Sequence, residues 1–225
     1  MERNEPFRYG TAMSADPPPL SGRRAEAARN DGRILDAART VFLADPAAPI
    51  ADVAKAAGVG ISALYRRYPS KEALMRALAH DGLTRYIADL RAALADDGDE
   101  WEAYRDCMQC VVDGQSQALA QRVAGAFQPT AELTRLAGEA GELATELHLL
   151  VQTAGVLRAD VTPADVTLLL EMISFVDLPG PERGRDLRLR YLDLMLQALH
   201  APARGDLPQP PATAADLTAR WQASR

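Results

Sequence analysis

Residues 50–68 read IADVAKAAGVGISALYRRY, and this stretch decides the fold. Ile50, Val53, Ala54 and Ala57 recur at helical spacing and so share one face of a helix. Gly58 follows, a residue suited to closing a helix in the left-handed conformation. Ile61 to Arg67 then makes a short second helix. Two helices that cross steeply need a small residue at their contact, and Ala54 supplies it. A sharp turn needs a positive φ, which glycine adopts without steric cost. Val59 and Leu64 are spaced to anchor the turn and the second helix in a core. The rest of that helix is exposed and basic through Arg66 and Arg67, as suits a reader of the DNA major groove. From Lys55 to Arg76 there are five basic residues and one acidic. This is the layout of a helix-turn-helix.

Working outward, Ile34, Ala37, Ala38, Val41 and Phe42 predict a preceding helix from Asp31, stopped by Asp45-Pro46. Residues 1–30, with Pro17-Pro18-Pro19 and scattered charge, read as a disordered arm. Its Arg23, Arg24 and Arg29 have two readings, a minor-groove arm or a solvated tail. On the other side, Ser70 caps a fourth helix, with Glu72 in its first turn.

Beyond Ala79 strand signals are absent. Leu83, Ile87, Leu90 and Leu94 form a helical stripe ending at Asp96-Asp97-Gly98. Asp99 with Glu102 resembles a capping box before Trp101, Tyr104, Met108, Val111 and Val112. Leu119, Val123 and Phe127 lead to a break at Pro129. A long helix carries Leu133, Leu136, Ala140, Leu143, Leu147 and Val151, and closes at Gly155. Thr162, Pro163 and Asp165 mark the next start. The helices near 163–177 and 185–200 are apolar almost all round, which predicts burial on two sides and hence a second subunit. Residues 202–225 read as a Pro-rich tail, with a short amphipathic end near Trp221.

The chain has 225 residues, 48% of them apolar and 25% charged, a globular composition. No apolar run reaches the ~18–20 residues of a membrane span. No signal-peptide pattern is visible and there are two cysteines, which together predict a soluble protein of the cytoplasm. The net charge of −6 argues superficially against a nucleic-acid partner. Residues 1–80 nevertheless carry +3 and residues 81–225 carry −9. A basic front on an acidic body predicts two parts with different partners.

The stretches ILDAARTVF, IADVAKAAGVG and ALYRRYPSKEALMRAL, spanning about Arg33 to Leu78, resemble the TetR family of one-component repressors. GVLRADVTPAD at 155–165 is similar to the loop before the dimer helices in many members. The resemblance implies an all-α fold: a three-helix helix-turn-helix DNA-binding domain at 31–78 and a helical ligand-binding and dimerisation domain at 79–201. It implies that Tyr65 contacts phosphate or a base edge and that Lys71 holds a phosphate. By the same resemblance Gly60, Ile61, Ser62 and Ala63 face the bases, with Arg66, Arg67 and the nearby Lys55 completing the basic surface. Two departures stand out. Ala48-Pro49-Ile50 offers no hydroxyl where a Ser or Thr often begins the second helix, and Gly60 replaces a frequent Ser. The resemblance also implies a cavity in the second half, for which Trp101, Tyr104, Met108, Phe127 and His148 are the candidate lining; each is equally readable as plain core.

Cys107 and Cys110 have CxxC spacing, but no second Cys or His pair is near, and both read as small hydrophobes on an apolar helix face. His80, His148 and His200 lack metal-ligand spacing. No catalytic constellation and no cofactor motif is evident, so the chain is not read as an enzyme. The expected function is a ligand-responsive homodimeric repressor on an inverted-repeat operator in double-stranded DNA, released by a small-molecule inducer. A helical ligand carrier or enzyme with a vestigial front domain is the alternative, and a protein–protein adaptor a third.

Overall fold

The computed structural model describes residues 22–115, 119, 126–176, 181–203 and 205–217. Its regular elements are helices: α1 Gly22–Ala44, α2 Ile50–Ala57, α3 Ile61–Arg67, α4 Lys71–Leu94, α5 Glu100–Asp113, α6 Ala131–Thr153, α7 Pro163–Ser174 and α8 Pro181–Leu199. The chain is all-α. Pro17–Pro19, Val123 and Trp221 lie outside the described residues.

The helix ends follow local chemistry. Gly58 sits at φ 66, ψ 35, and its N–H donates to Lys55 O while Val59 N–H donates to Ala54 O. Arg33 Nη2 donates to Ala57 O at 2.8 Å and satisfies a third terminal carbonyl. A β-carbon at Gly58 would stand 3.1 Å from that Arg33 nitrogen, on a backbone that L side chains rarely adopt. Gly58→Ala should therefore lower unfolding stability by about 1–2 kcal/mol. An unchanged denaturant midpoint would contradict this account of the turn. The Ser70 hydroxyl accepts from Ala73 N at 3.1 Å and opens α4. At α7, Thr162 and Asp165 form a reciprocal capping box with Pro163 at the first helical position.

Two differences from the sequence reading concern length. α1 begins at Gly22, nine residues before the expected Asp31, so the segment 22–30 is helix rather than disordered arm. RRAEAARN has no apolar stripe, but its alanines and arginines are strong helix formers. α4 runs unbroken from Lys71 to Leu94, through the expected division at 78/79. Its first half joins a front core with Ile34, Phe42, Val53, Ala54 and Leu64. Its second half contributes Leu90 to a body core with Tyr104, Val111, Leu147, Leu170 and Leu192. Where α4 leaves the front core, Arg39 of α1 bridges Asp36 at 2.9 Å and Asp81 at 2.8 Å.

The described residues after α8 are hydrogen-bonded to the loop before α7 and to its first turn. Arg158 N donates to Leu199 O at 3.0 Å and Ala201 N to Val156 O at 2.9 Å. The Asp160 carboxylate, held by the Arg158 guanidinium at 2.6 and 2.8 Å, accepts from Leu207 N at 2.9 Å. Asp165 accepts from Ala212 N at 2.8 Å, and the Thr162 hydroxyl donates to Ala212 O at 2.7 Å. Residues 201–203 and 205–212 thus strap across the start of α7.

α7 and α8 pack on the body core with one side each. The other side stays open: Met172 is 67% exposed, Phe175 63%, Tyr191 43% and Leu194 51%. Steps of three along each helix put these four on one apolar stripe per helix.

Candidate nucleic-acid interface

α2, the Gly58 turn and α3 present a surface whose inner side is fixed by packing. Leu64 is fully buried, while the adjacent Tyr65 is 47% exposed. One residue turns α3 by about 100°, so the same backbone that buries Leu64 turns Tyr65 to solvent. Ile61, Ser62, Arg66 and Gly60 are exposed beside it, and Ala63 is half-buried. Gly60 occupies the N-cap of α3 in an extended conformation with no side-chain cap. Pro49 caps α2 without a side-chain hydrogen bond, and Asp52 supplies the only acidic group in that first turn. Lys55 is exposed on α2.

Two of the expected cations have partners already. Arg67 is held by Asp31 of α1 in a fork, with Nε donating at 2.8 and 3.0 Å and Nη2 at 2.7 Å. Those hydrogen bonds raise its pKa further above the ordinary arginine value. Its guanidinium also lies 5.2 Å from the Tyr68 ring centre. Arg67 fastens α3 to α1 in this conformation, rather than standing free for a phosphate. Lys71 Nζ donates to Pro46 O at 2.8 Å and sits 5.3 Å from the Phe42 ring centre, so α1 and the α1–α2 loop fix where its charge is presented. Asp31 and Arg33 are positioning residues that periodicity could not find, because their partners lie 36 and 24 residues away.

The five candidate lining residues do not gather round one space. Tyr104 and Met108 are buried in the body core, with Trp101 packed against it. Trp101 stacks on Tyr104 at 5.8 Å and meets His200 edge-on at 4.5 Å. Phe127 packs instead with Leu119 against the front core. A cavity of about 10 Å³ lies elsewhere, between α5, α7 and α8, lined by Val111, Val112, Gln115, Leu170, Ile173, Ser174 and Arg188. The cysteine reading is half corrected. Cys107 is buried but Cys110 is exposed, so of two thiols on neighbouring positions of one helix side only the first reaches the core. Burial pushes the Cys107 thiol up to about 12.

His148 is buried on α6, with Nε2 3.0 Å from Val161 O. Burial holds its pKa below the ordinary 6.5, against opposing pulls from that carbonyl and from Asp165. The unfolded chain therefore takes up a proton that the folded chain refuses. This contribution to stability is full above pH 6.5 and is lost as pH falls below it. Between about pH 7.5 and about pH 5.5 the Tm of His148→Gln should fall less than that of the wild type. Parallel falls in the two proteins would refute a neutral buried imidazole.

Residues 34–78 match the family of bacterial regulatory proteins, tetR family. The HTH-type transcriptional repressor LfrR of Mycolicibacterium smegmatis is 44% identical over 66 residues, 29% of this chain and 32% of that protein. An HTH-type transcriptional regulator of Mycobacterium tuberculosis is 42% identical over 79 residues, covering 34% of this chain and 38% of its own. The matched part thus spans about a third of the length of these curated relatives. In three dimensions the likeness is longer. The crystal structure of LfrR in complex with proflavine aligns over 80% of this chain and 99% of its own, with TM-score 0.58 and 25% identity. A TetR transcriptional regulator from Streptomyces coelicolor aligns over 77% of this chain and 99% of its own, with TM-score 0.57 and 28% identity. The sequence match falls on the residues that build the turn and α3, and the fold likeness runs through the body, so residues 34–78 form a tetR-family helix-turn-helix segment in a chain whose overall fold is similar to that of TetR transcriptional regulators.

Proposed function

We propose that this chain is a homodimeric, ligand-responsive repressor that binds an inverted-repeat operator. The observation that carries the DNA reading is the split on α3 between fully buried Leu64 and half-exposed Tyr65. The core side of α3 is satisfied, and what remains outward is Ile61, Ser62, Tyr65 and Arg66, a set that reaches base edges and phosphates. Lys71, braced by Pro46 O, is the phosphate anchor at the rim, and Lys55 adds charge on α2. The apolar stripes of α7 and α8 support pairing with a second copy in a four-helix bundle. Such pairing sets two α3 helices about one DNA turn apart and makes the operator an inverted repeat.

Ligand response is proposed for the body. α4 belongs to both cores, so a ligand that shifts the body core displaces α4 and with it Lys71. Release requires that the ligand prefer the displaced state by a few kcal/mol, since equal affinity shifts nothing. LfrR, to which this chain is similar, has been crystallised with proflavine, which supports a small-molecule ligand for this chain.

Binding to the promoter region beside the gene, titrated against salt, tests the reading. Lys71→Ala should weaken binding to all sequences alike and flatten the log–log salt slope by about one unit. Changes at Ser62 or Ala63 should instead alter which sequence is preferred. Equal effects of both classes on operator and random DNA would refute this division of roles.

A further inference from the structure

Arg188 of α8 is half-buried against the body. Its Nη1 donates to Val176 O at 3.2 Å, while its Nε is buried and has no hydrogen-bond partner. Among the described residues no carboxylate pairs with it. Burial removes water from Nε and returns nothing to this N–H. Arrangements of that kind are costly unless an acceptor arrives.

The surroundings say what the acceptor is attached to. Arg188 borders the cavity of about 10 Å³ between α5, α7 and α8, room for about one water. Most of the wall is aliphatic: Val111 and Val112 from α5, Leu170 and Ile173 from α7. The remaining lining is Gln115 and Ser174. Gln115 holds φ 49, a left-handed conformation uncommon for a long side chain, and such strain gathers at ligand clamps. An orphaned cationic donor, a strained amide residue and an aliphatic wall thus meet at one point.

We infer that this is the effector site and that its ligand is a small organic carboxylate with an aliphatic body. The carboxylate oxygens accept from the Arg188 fork, a geometry that guanidinium and carboxylate share. The hydrocarbon extends between α5 and α7, which separate to admit it. A cationic ligand is rejected by the unpaired charge. The inference rests on the ligand-responsive regulator reading and adds the chemical class of the ligand.

The test uses the full chain and three probes with one hydrocarbon body: octanoate, octan-1-ol and octylammonium, each below its micelle concentration. Isothermal titration should give octanoate at least about tenfold tighter binding than the alcohol, with no measurable binding of the amine. Arg188→Gln should bring acid and alcohol to within about threefold of each other. Arg188→Lys, which keeps the charge and loses the fork, should retain an intermediate preference and serves if the Gln variant does not fold. Equal affinity for acid and alcohol in the wild type, absence of octanoate binding, or an undiminished preference in both variants overturns the inference. Salt-dependent binding to the promoter fragment is measured on the same samples. If DNA binding persists without a carboxylate preference, the regulator reading stands and this site falls. If the wild type prefers octanoate, the Arg188 variants lose that preference and no sample binds DNA, the site stands and the regulator reading falls.

Discussion

Leu64→Ala should destabilise the front of the molecule by about 2–5 kcal/mol, the range for emptying a well-packed leucine site. Tyr65→Ala, one residue on, should leave stability within about 0.5 kcal/mol yet weaken operator binding at least about tenfold. The contrast follows from burial alone: Leu64 is 0% exposed and Tyr65 47%. Leu64 contributes nothing that DNA can touch, and Tyr65 little that the core needs. Thermal melts by circular dichroism, paired with fluorescence anisotropy on labelled operator, separate the two effects. If Tyr65→Ala proves as destabilising as Leu64→Ala, α3 is rotated from the orientation described and the proposed DNA face is wrong.

The second large effect concerns the stripes of α7 and α8. Sedimentation equilibrium of the wild type should report twice the 24.3 kDa chain mass. The double change Met172→Glu and Leu194→Glu should return it to a single chain and cost at least about 100-fold in operator affinity. In a two-fold interface each substitution occurs twice, so four carboxylates would be buried without partners. Neither side chain supports the body core, since they are 67% and 51% exposed, so the monomer should keep its helical signal. A wild type already monomeric at micromolar concentration, or a double variant that stays paired, would remove the four-helix bundle from the proposal.

Most of the helical framework was legible because it rests on local signals. Gly58, Ser70, Thr162, Pro163 and Asp165 act within one helical turn of their own positions, and all sit at helix ends in the structure. The extra turns of α1 escaped because apolar period was the test, and RRAEAARN is helical by propensity with no such period. The outward face of α3 was legible in outline, since Leu64 and Tyr65 separate on a helical wheel and differ in burial as that separation implies. Arg67 was not, because its partner Asp31 lies on another helix and no spacing rule links them. The candidate ligand residues fared least well. Large side chains at helical spacing look alike whether they fill a core or border a cavity, and Phe127 joined the front core instead. Arg188 gave no signal at all, being one arginine among many until burial left its Nε without an acceptor.

The strap that follows α8 sets the order in which this chain matures as it is made. The helix-turn-helix closes its hydrogen bonds within residues 31–78, for instance Arg33 to Ala57 and Lys71 to Pro46, so those contacts form early in synthesis. The start of α7 waits much longer. Its Thr162 and Asp165 meet Ala212 across 50 and 47 residues, and Asp160 meets Leu207 across 47. Such separations slow assembly, because loop closure precedes the contacts that reward it. A nascent chain thus holds its helix-turn-helix before the collar that steadies α7 exists, and the start of α7 becomes fully braced only when Leu207 and Ala212 have left the ribosome.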